Sequence, residues 1–301
     1  NGVNLTIYPR QTLAVVGDSI AMGVGNQKCH RLAFVLEWFL NVGTAAPPAR
    51  VRLYAEPSST YQQVDDVRRA IADGASVVVL AISLNDTEDW SRPAELMAMR
   101  PDRREWSVPA WLQPLARRSR VVQVTLRAIE RDRRLAGYLR YYRFLYRPEY
   151  SGFARFRTAL QEIRAAADAN GVKVAAVLFP LLIADLRPGR YPFEPMHAAV
   201  AEACAAAGIP LLDLRSAMAA STPDRLQLIP MVDAHGSEIA HRIAAEAMFY
   251  FLLEQGFVEP ARRPANVREA ERLRTWAKKF RALGQPLDLA PADRRDGTAA
   301  R

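Results

Sequence analysis

Cysteine and histidine are scarce in this 301-residue chain, which holds two of the first and four of the second. Cys29 and Cys204 form no CxxC pair and no ligand cluster with the histidines. That excludes a disulfide scaffold and a zinc module. Two buried free thiols are expected, with a Cys29–Cys204 bridge the lesser alternative. Long hydrophobic runs are also missing. The longest strongly apolar stretch, Val174 to Ala184, is too short to span a bilayer. No secretory signal and no methionine opens the chain, which begins at Asn1 and reads as a processed or trimmed product. An upstream signal or anchor would place it in the cell envelope or periplasm, and without one it would be cytoplasmic. The cysteines decide neither.

Acidic residues are too few to balance the bases, so the formal charge is +9. Residues 91–150 hold fourteen arginines against six acids, and residues 257–301 hold eleven bases against six acids, leaving about −4 for the remainder. The basic character thus belongs to an insertion and a tail.

What is present is an alternation of β-prone and helical segments. Thr12–Val16, Val51–Tyr54, Ser76–Ile82, Val172–Phe179 and Ile209–Leu214 read as strands. Ala21–Leu40, Gln63–Ala72, Pro195–Ala207 and Ser237–Leu253 read as helices, with Gly208 a C-cap. Continuous apolar strands between helices predict a parallel sheet covered on both faces. Ligands gather at the carboxyl ends of such strands. Asp18, Ser19, Ser58, Asn85, Asp86, Asp233 and His235 all follow strands or precede helices where they can converge.

Within 91–150, Leu135, Tyr138, Leu139, Tyr142, Leu145 and Tyr146 recur at helical spacing, with Arg133, Arg140, Arg143 and Arg147 on another face. This predicts a basic amphipathic helix over the core. A solvated face or lid is the first reading of it. Peripheral contact with an anionic membrane is the second. Nucleic-acid binding is a distant third, because no nucleic-acid motif accompanies the arginines and tyrosines. The tail from 257 predicts a basic helix over Asn266–Ala282 and a loose end after Gly284.

A serine hydroxyl becomes a nucleophile only with a base to take its proton and donors to hold an oxyanion, and the base is usually a histidine oriented by a carboxylate. The segment Leu13–Gly23, LAVVGDSIAMG, sets Ser19 behind the first strand at the start of a helix, with Gly17 permitting a tight turn. The segment Val232-Asp233-Ala234-His235-Gly236-Ser237 sets an imidazole and a carboxylate before the last helix. The structural alternatives are an N-cap for Ser19, a cap or surface role for His235 and a loop anchor for Asp233. His30 beside Cys29 makes too small a set for a metal site. His197 and His241 read as helix-packing residues.

These blocks resemble the SGNH/GDSL hydrolase family over most of residues 12–253, the arginine-rich stretch being the weak part. Gly17-Asp18-Ser19 matches the serine block, and Ile82-Ser83-Leu84-Asn85-Asp86 matches the asparagine block. The resemblance implies that Ser19 is the nucleophile and that its N–H helps form the oxyanion hole. It implies a side-chain amide donor at Asn85, with Asp86 shaping the loop. The glycine block aligns with Pro57-Ser58-Ser59-Thr60, placing Ser58 where the family uses a glycine N–H. Ser83 also stands where glycine is usual, and one residue rather than two separates Asp233 from His235.

The expectation is therefore a three-layer α/β/α sandwich with a flavodoxin-like, mostly parallel sheet and a helical insertion. Residues 1–256 would form the hydrolase domain and 257–301 a basic tail. The expected activity is carboxylic ester hydrolysis through an acyl-enzyme, with catalytic Ser19, Asp233 and His235 and an oxyanion hole from Ser19, Ser58 and Asn85. The substrate would be a small-molecule, glycan or lipid ester, and the chemistry calls for no metal or cofactor. Acyl transfer to a polysaccharide hydroxyl, or a degenerate binding role, are the alternatives. The oligomeric state is not legible.

Overall fold

The computed structural model describes residues 11–42, 44, 46–101, 110–230 and 232–263. Five strands, β1 (Gln11–Gly17), β2 (Ala49–Ala55), β3 (Val77–Ile82), β4 (Lys173–Leu178) and β5 (Leu211–Asp213), pair in parallel in the order β2-β1-β3-β4-β5. Every residue of β3 is buried, and in β4 only Lys173 is exposed. A strand covered on both faces must be apolar throughout, which is why these two segments do not alternate.

Helices α1 (Ser19–Met22) and α2 (Leu32–Asn41) lead from β1 to β2, and α3 (Thr60–Ala72) leads on to β3. Among the described residues, four α-helices separate β3 from β4: α4 (Pro93–Met99), α5 (Gln113–Arg118), α6 (Arg120–Leu145) and α7 (Ser151–Ala169). After β4 come α8 (Glu194–Ala206) and β5, then α9 (Arg215–Met218) and α10 (Pro223–Leu226). A short antiparallel hairpin, β6 (Gln227–Ile229) and β7 (Asp233–Gly236), precedes α11 (Glu238–Glu254). α2 packs against α11, and α3 packs against α7. Right-handed crossovers put the first pair on one face of the sheet and the second on the other. The result is a three-layer α/β/α sandwich of flavodoxin-like order with a helical insertion.

The helix expected over Ala21–Leu40 is broken in two. Gly23 closes α1 in the left-handed region at φ 69°, and a three-residue 3-10 turn, Lys28–His30, precedes α2. Gly17 also differs from expectation in its purpose. It ends β1 without left-handed backbone, and a Cβ there would stand 2.7 Å from both the Ala81 carbonyl oxygen and the Ala21 Cβ. Close approach of β3 and α1, not turn geometry, is what demands glycine.

The insertion is tied down at its carboxyl half. Tyr141, Tyr142, Phe144 and Leu145 of α6 are buried, while Leu135, Tyr138, Leu139 and Tyr146 pack against the core in part. Arg133, Arg140, Arg143 and Arg147 face solvent. Residues 257–263 continue onto the core: Gln11 Nε2 donates to the Phe257 carbonyl at 2.8 Å, and Arg262 Nη1 donates to the Leu40 carbonyl at 2.6 Å. The helix expected over Asn266–Ala282 lies outside the described residues. Among those described, no helix is long and apolar enough to cross a membrane. Both cysteines are free thiols, Cys29 partly exposed and Cys204 buried, with burial pushing the Cys204 thiol up to about 12.

His241 is buried inside α11, and its Nδ1 accepts the backbone N–H of Leu32 at 3.2 Å, so the imidazole caps α2. Burial, aided by the charges of Arg31 and His235, lowers it from 6.5 to about 4. Above about 6.5 the ring is neutral in folded and unfolded chains, and its full contribution to stability is present. Between about 6.5 and 4 only the unfolded chain takes the proton, so stability falls as acid is added. Urea unfolding at pH 7.5 and 4.5 should show a stability gap that is about 2–3 kcal/mol smaller in His241→Gln than in the parent chain.

Candidate active site

The strand order reverses between β1 and β3, whose ends lie side by side with Gly17 paired to Ala81. A crevice opens at such a reversal, and the segments leaving both strands build one site. Asp18 is the N-cap of α1, and its Oδ1 accepts the Ile20 N–H at 2.8 Å. This holds Ser19 in the first turn. The other oxygen, Oδ2, accepts from Ser83 Oγ at 2.9 Å and from Asn85 Nδ2 at 3.0 Å. Ser83 Oγ also lies 2.8 Å from Asn85 Oδ1. One buried carboxylate therefore joins the serine and asparagine segments. Burial raises Asp18 above the ordinary carboxylate value, against the opposing pull of its bonds to Ile20, Asn85 and Ser83.

Ser83 has φ −123° and ψ 163°, an extended backbone open to any residue, so the missing glycine does not strain this turn. Its N–H donates to Asp86 Oδ2 at 3.0 Å, which closes the turn around Asn85. Burial, with the charge of Asp18, pushes Asp86 well above its usual value.

His235 reaches Ser19 from the far end of the chain. Its Nε2 lies 3.1 Å from Ser19 Oγ, and its Nδ1 lies 2.6 Å from Asp233 Oδ1. Asp233 Oδ1 also accepts the His235 backbone N–H at 3.0 Å. The single intervening residue has a simple explanation. Asp233 and His235 belong to β7, where alternate side chains share a face. Burial alone would raise the Asp233 carboxyl, but the backbone and ring N–H groups of His235 and its charge bring it below the ordinary value. With Nδ1 donating to a carboxylate, the neutral ring presents Nε2 as acceptor toward the serine hydroxyl. Asp233 and His235 are each about one-third exposed, so the site is open to solvent.

Two tethers that the sequence did not reveal hold the hairpin in place. Asn26 Nδ2 donates to the Gly236 carbonyl at 2.7 Å, tying the loop after α1 to β7. Gln227 Nε2 donates to the Leu182 carbonyl at 2.6 Å, tying β6 to the loop after β4. That loop is fixed in turn by Tyr191, whose hydroxyl accepts the Leu181 N–H at 2.7 Å and lies 3.3 Å from His197 Nε2. His197 Nδ1 lies 2.9 Å from Asp213 Oδ2 at the end of β5. His197 is thus a buried structural link, as its helical placement predicts. Such isolated amides carry no local sequence signal.

Ser58 lies in the loop between β2 and α3, with its Oγ donating to the Glu56 carbonyl at 3.0 Å. Among the described residues, no hydrogen bond joins it to Ser19, Asn85 or His235. Its neighbour Ser59 is drawn inward, with Oγ donating to the Glu88 carbonyl at 2.7 Å just beyond the asparagine turn. His30 pairs with Glu238 at 2.9 Å. Among the described residues, no cluster of three histidine, cysteine, aspartate or glutamate side chains is placed to hold a metal ion.

The family model described as GDSL-like Lipase/Acylhydrolase family matches residues 15–243. No curated protein matches the chain. Similar solved structures include TesA, at 16% identity with TM-score 0.49, covering 80% of this chain and 98% of that one. A lipase/acylhydrolase from Enterococcus faecalis is 14% identical with TM-score 0.47, covering 81% and 96% respectively. A catalytic mutant of an acetylxylan esterase from Geobacillus stearothermophilus is 15% identical with TM-score 0.47, covering 83% and 96%.

Replacing Asp18 by Asn keeps the size of the side chain but turns a two-oxygen acceptor into half acceptor, half donor, facing donors at Ile20, Ser83 and Asn85. The expected cost is about 2–3 kcal/mol of unfolding free energy, read as a lower urea midpoint at unchanged m-value. Ser83→Ala, which removes one bond to the same carboxylate, should cost about 1 kcal/mol.

Proposed function

The chain belongs to the GDSL-like lipase/acylhydrolase family, and from that premise we propose that it hydrolyses carboxylic esters through an acyl-enzyme on Ser19. The observation that carries this reading is the alignment of Ser19 Oγ, His235 and Asp233 at 3.1 and 2.6 Å. In the proposed scheme His235 Nε2 takes the hydroxyl proton as Ser19 Oγ attacks the ester carbonyl. Asp233 keeps the ring in the tautomer that accepts at Nε2 and stabilises the imidazolium that forms. The tetrahedral intermediate collapses, His235 returns the proton to the leaving alkoxide, and the alcohol departs. Water then attacks the acyl-serine with His235 again as base, releasing the acid and restoring the hydroxyl.

The developing oxyanion needs donors held in place before the reaction. The proposed set is the backbone N–H groups of Ser19 and Ser58 and the side-chain amide of Asn85. Asn85 Nδ2 carries two hydrogens, and its bond to Asp18 uses one. That bond fixes the amide plane, so the second hydrogen is available to substrate without an entropic cost at the moment of reaction. The extended backbone at Ser83 supports an active member over a degenerate one. The open site supports a small-molecule or glycan ester as substrate.

Ser19→Ala should lower kcat on p-nitrophenyl acetate by about 10^3-fold or more, and undiminished turnover in that variant would overturn the scheme. Asn85→Ala should lower kcat by about 10^2-fold with little change in KM, because the donor acts on the transition state rather than on bound ester.

A further inference from the structure

Large apolar side chains that face solvent gather, among the described residues, in two regions, with Trp90 and Met97 standing apart at the root of the insertion. One is the insertion, where Trp111 is 79% exposed, Val121 75% and Val124 61%, with Leu115 and Ile129 also open. The other is the turn of the hairpin that carries His235, where Ile229 and Val232 stand out. Apolar groups gathered in this way on a folded protein mark a surface that something covers.

The insertion has a definite pattern. At about 100° per residue, Val121, Val124 and Ile129 of α6 share an arc roughly 140° wide, Arg120, Arg127 and Arg131 line one edge of it, and Asp132, paired with Arg131 at 3.5 Å, closes its carboxyl end. The buried Leu126 lies on another face. The preceding helix α5 adds exposed Leu115, Arg117 and Arg118. The carboxyl half of α6 is anchored in the core, so its amino half carries this face outward.

Charge selects the occupant. Residues 91–150 hold fourteen arginines and six acids. A second copy of the chain docked on this face would set arginine against arginine. A soluble polyanion would satisfy the arginines and leave tryptophan and valine in water. An anionic bilayer satisfies both, with phosphate groups meeting the guanidinium groups and the acyl boundary receiving the apolar side chains. We propose that the arginine-flanked apolar face of α5 and the amino half of α6 docks this protein on anionic lipid bilayers. The docking does not depend on the ester chemistry.

The test is sedimentation of the full chain with vesicles of phosphatidylcholine alone and of phosphatidylcholine containing about a third phosphatidylglycerol. Binding to the mixed vesicles, weakened by salt and accompanied by a blue shift of tryptophan emission, is the expected result. Val121→Glu with Val124→Glu, and separately Arg117→Glu with Arg127→Glu, should each lower the partition coefficient at least about tenfold. These positions are exposed, so the circular dichroism of both variants should match the parent. Equal sedimentation with both vesicle types, or none with either, would overturn the proposal. So would a dimer in analytical ultracentrifugation that the valine variant dissolves while the parent ignores vesicles.

Discussion

The buried carboxylate of Asp18 is the contact on which the geometry of the site rests. Two strands adjacent in the sheet need not direct the segments beyond them toward one point. Here they do, because one oxygen of Asp18 caps the helix that begins with Ser19 and the other receives Ser83 and Asn85 from the end of β3. Burying a carboxylate is costly unless its lone pairs are filled, and three donors fill them. The raised protonation equilibrium of Asp18 shows that the cost is only partly offset. A group in that condition is stable in one arrangement and poor in any other, and that selectivity fixes where the hydroxyl and the amide stand relative to each other.

The imidazole arrives by an unrelated route. It is 216 residues from Ser19 in sequence, and a two-strand hairpin rather than the main sheet delivers it. A hairpin this short is marginal in isolation. It is held by Asn26 from one side, by the bond from its own Gln227 to Leu182 in the loop after β4 from another, and by the start of α11 behind it, where Ser237 N–H donates to the Leu226 carbonyl at 2.7 Å. The imidazole is thus set by three attachments, while its outer edge stays open to solvent. That combination suits a group that must hold its angle to a serine and still meet a substrate.

The sheet was legible in the sequence because its inner strands, Val77–Ile82 and Lys173–Leu178, are apolar runs too short for buried helices and rich in β-branched residues. The positions of Ser19 and Asn85 were legible because each directly follows such a run. The break between α1 and α2 was not. Leu32, Val35, Leu36 and Phe39 continue a helical period that hides the glycines before them, and the left-handed Gly23 together with the packing of Gly25 against Leu228 of the hairpin shows why the chain turns there. The spacing of Asp233 and His235 looked irregular because it was set against the two intervening residues usual in the family. Read as a strand, two residues apart is the spacing that puts both side chains on one side. Asn26 and Gln227 were invisible because a single amide reaching a distant carbonyl leaves no periodic trace.

The insertion shows how a large addition can be made beside a site without disturbing it. It enters directly after the asparagine turn, and its roots are two buried carboxylates. Glu88 is held by Arg100 and by the Tyr141 hydroxyl at 2.6 Å, and Asp89 by Arg155 and Ser151 at 2.7 and 2.9 Å. Glu88 takes its partners from the end of α4 and from α6, and Asp89 takes these two from the start of α7, so the three helices are pinned where they meet the core. Trp111, Leu115, Val121, Val124 and Ile129 lie beyond these pins with most of the insertion's arginines, while the residues that hold Ser19, Asn85 and His235 lie within them. Separating the two roles along one insertion lets the outer helices be selected for what they touch, and the inner ones for the rigidity that the site requires.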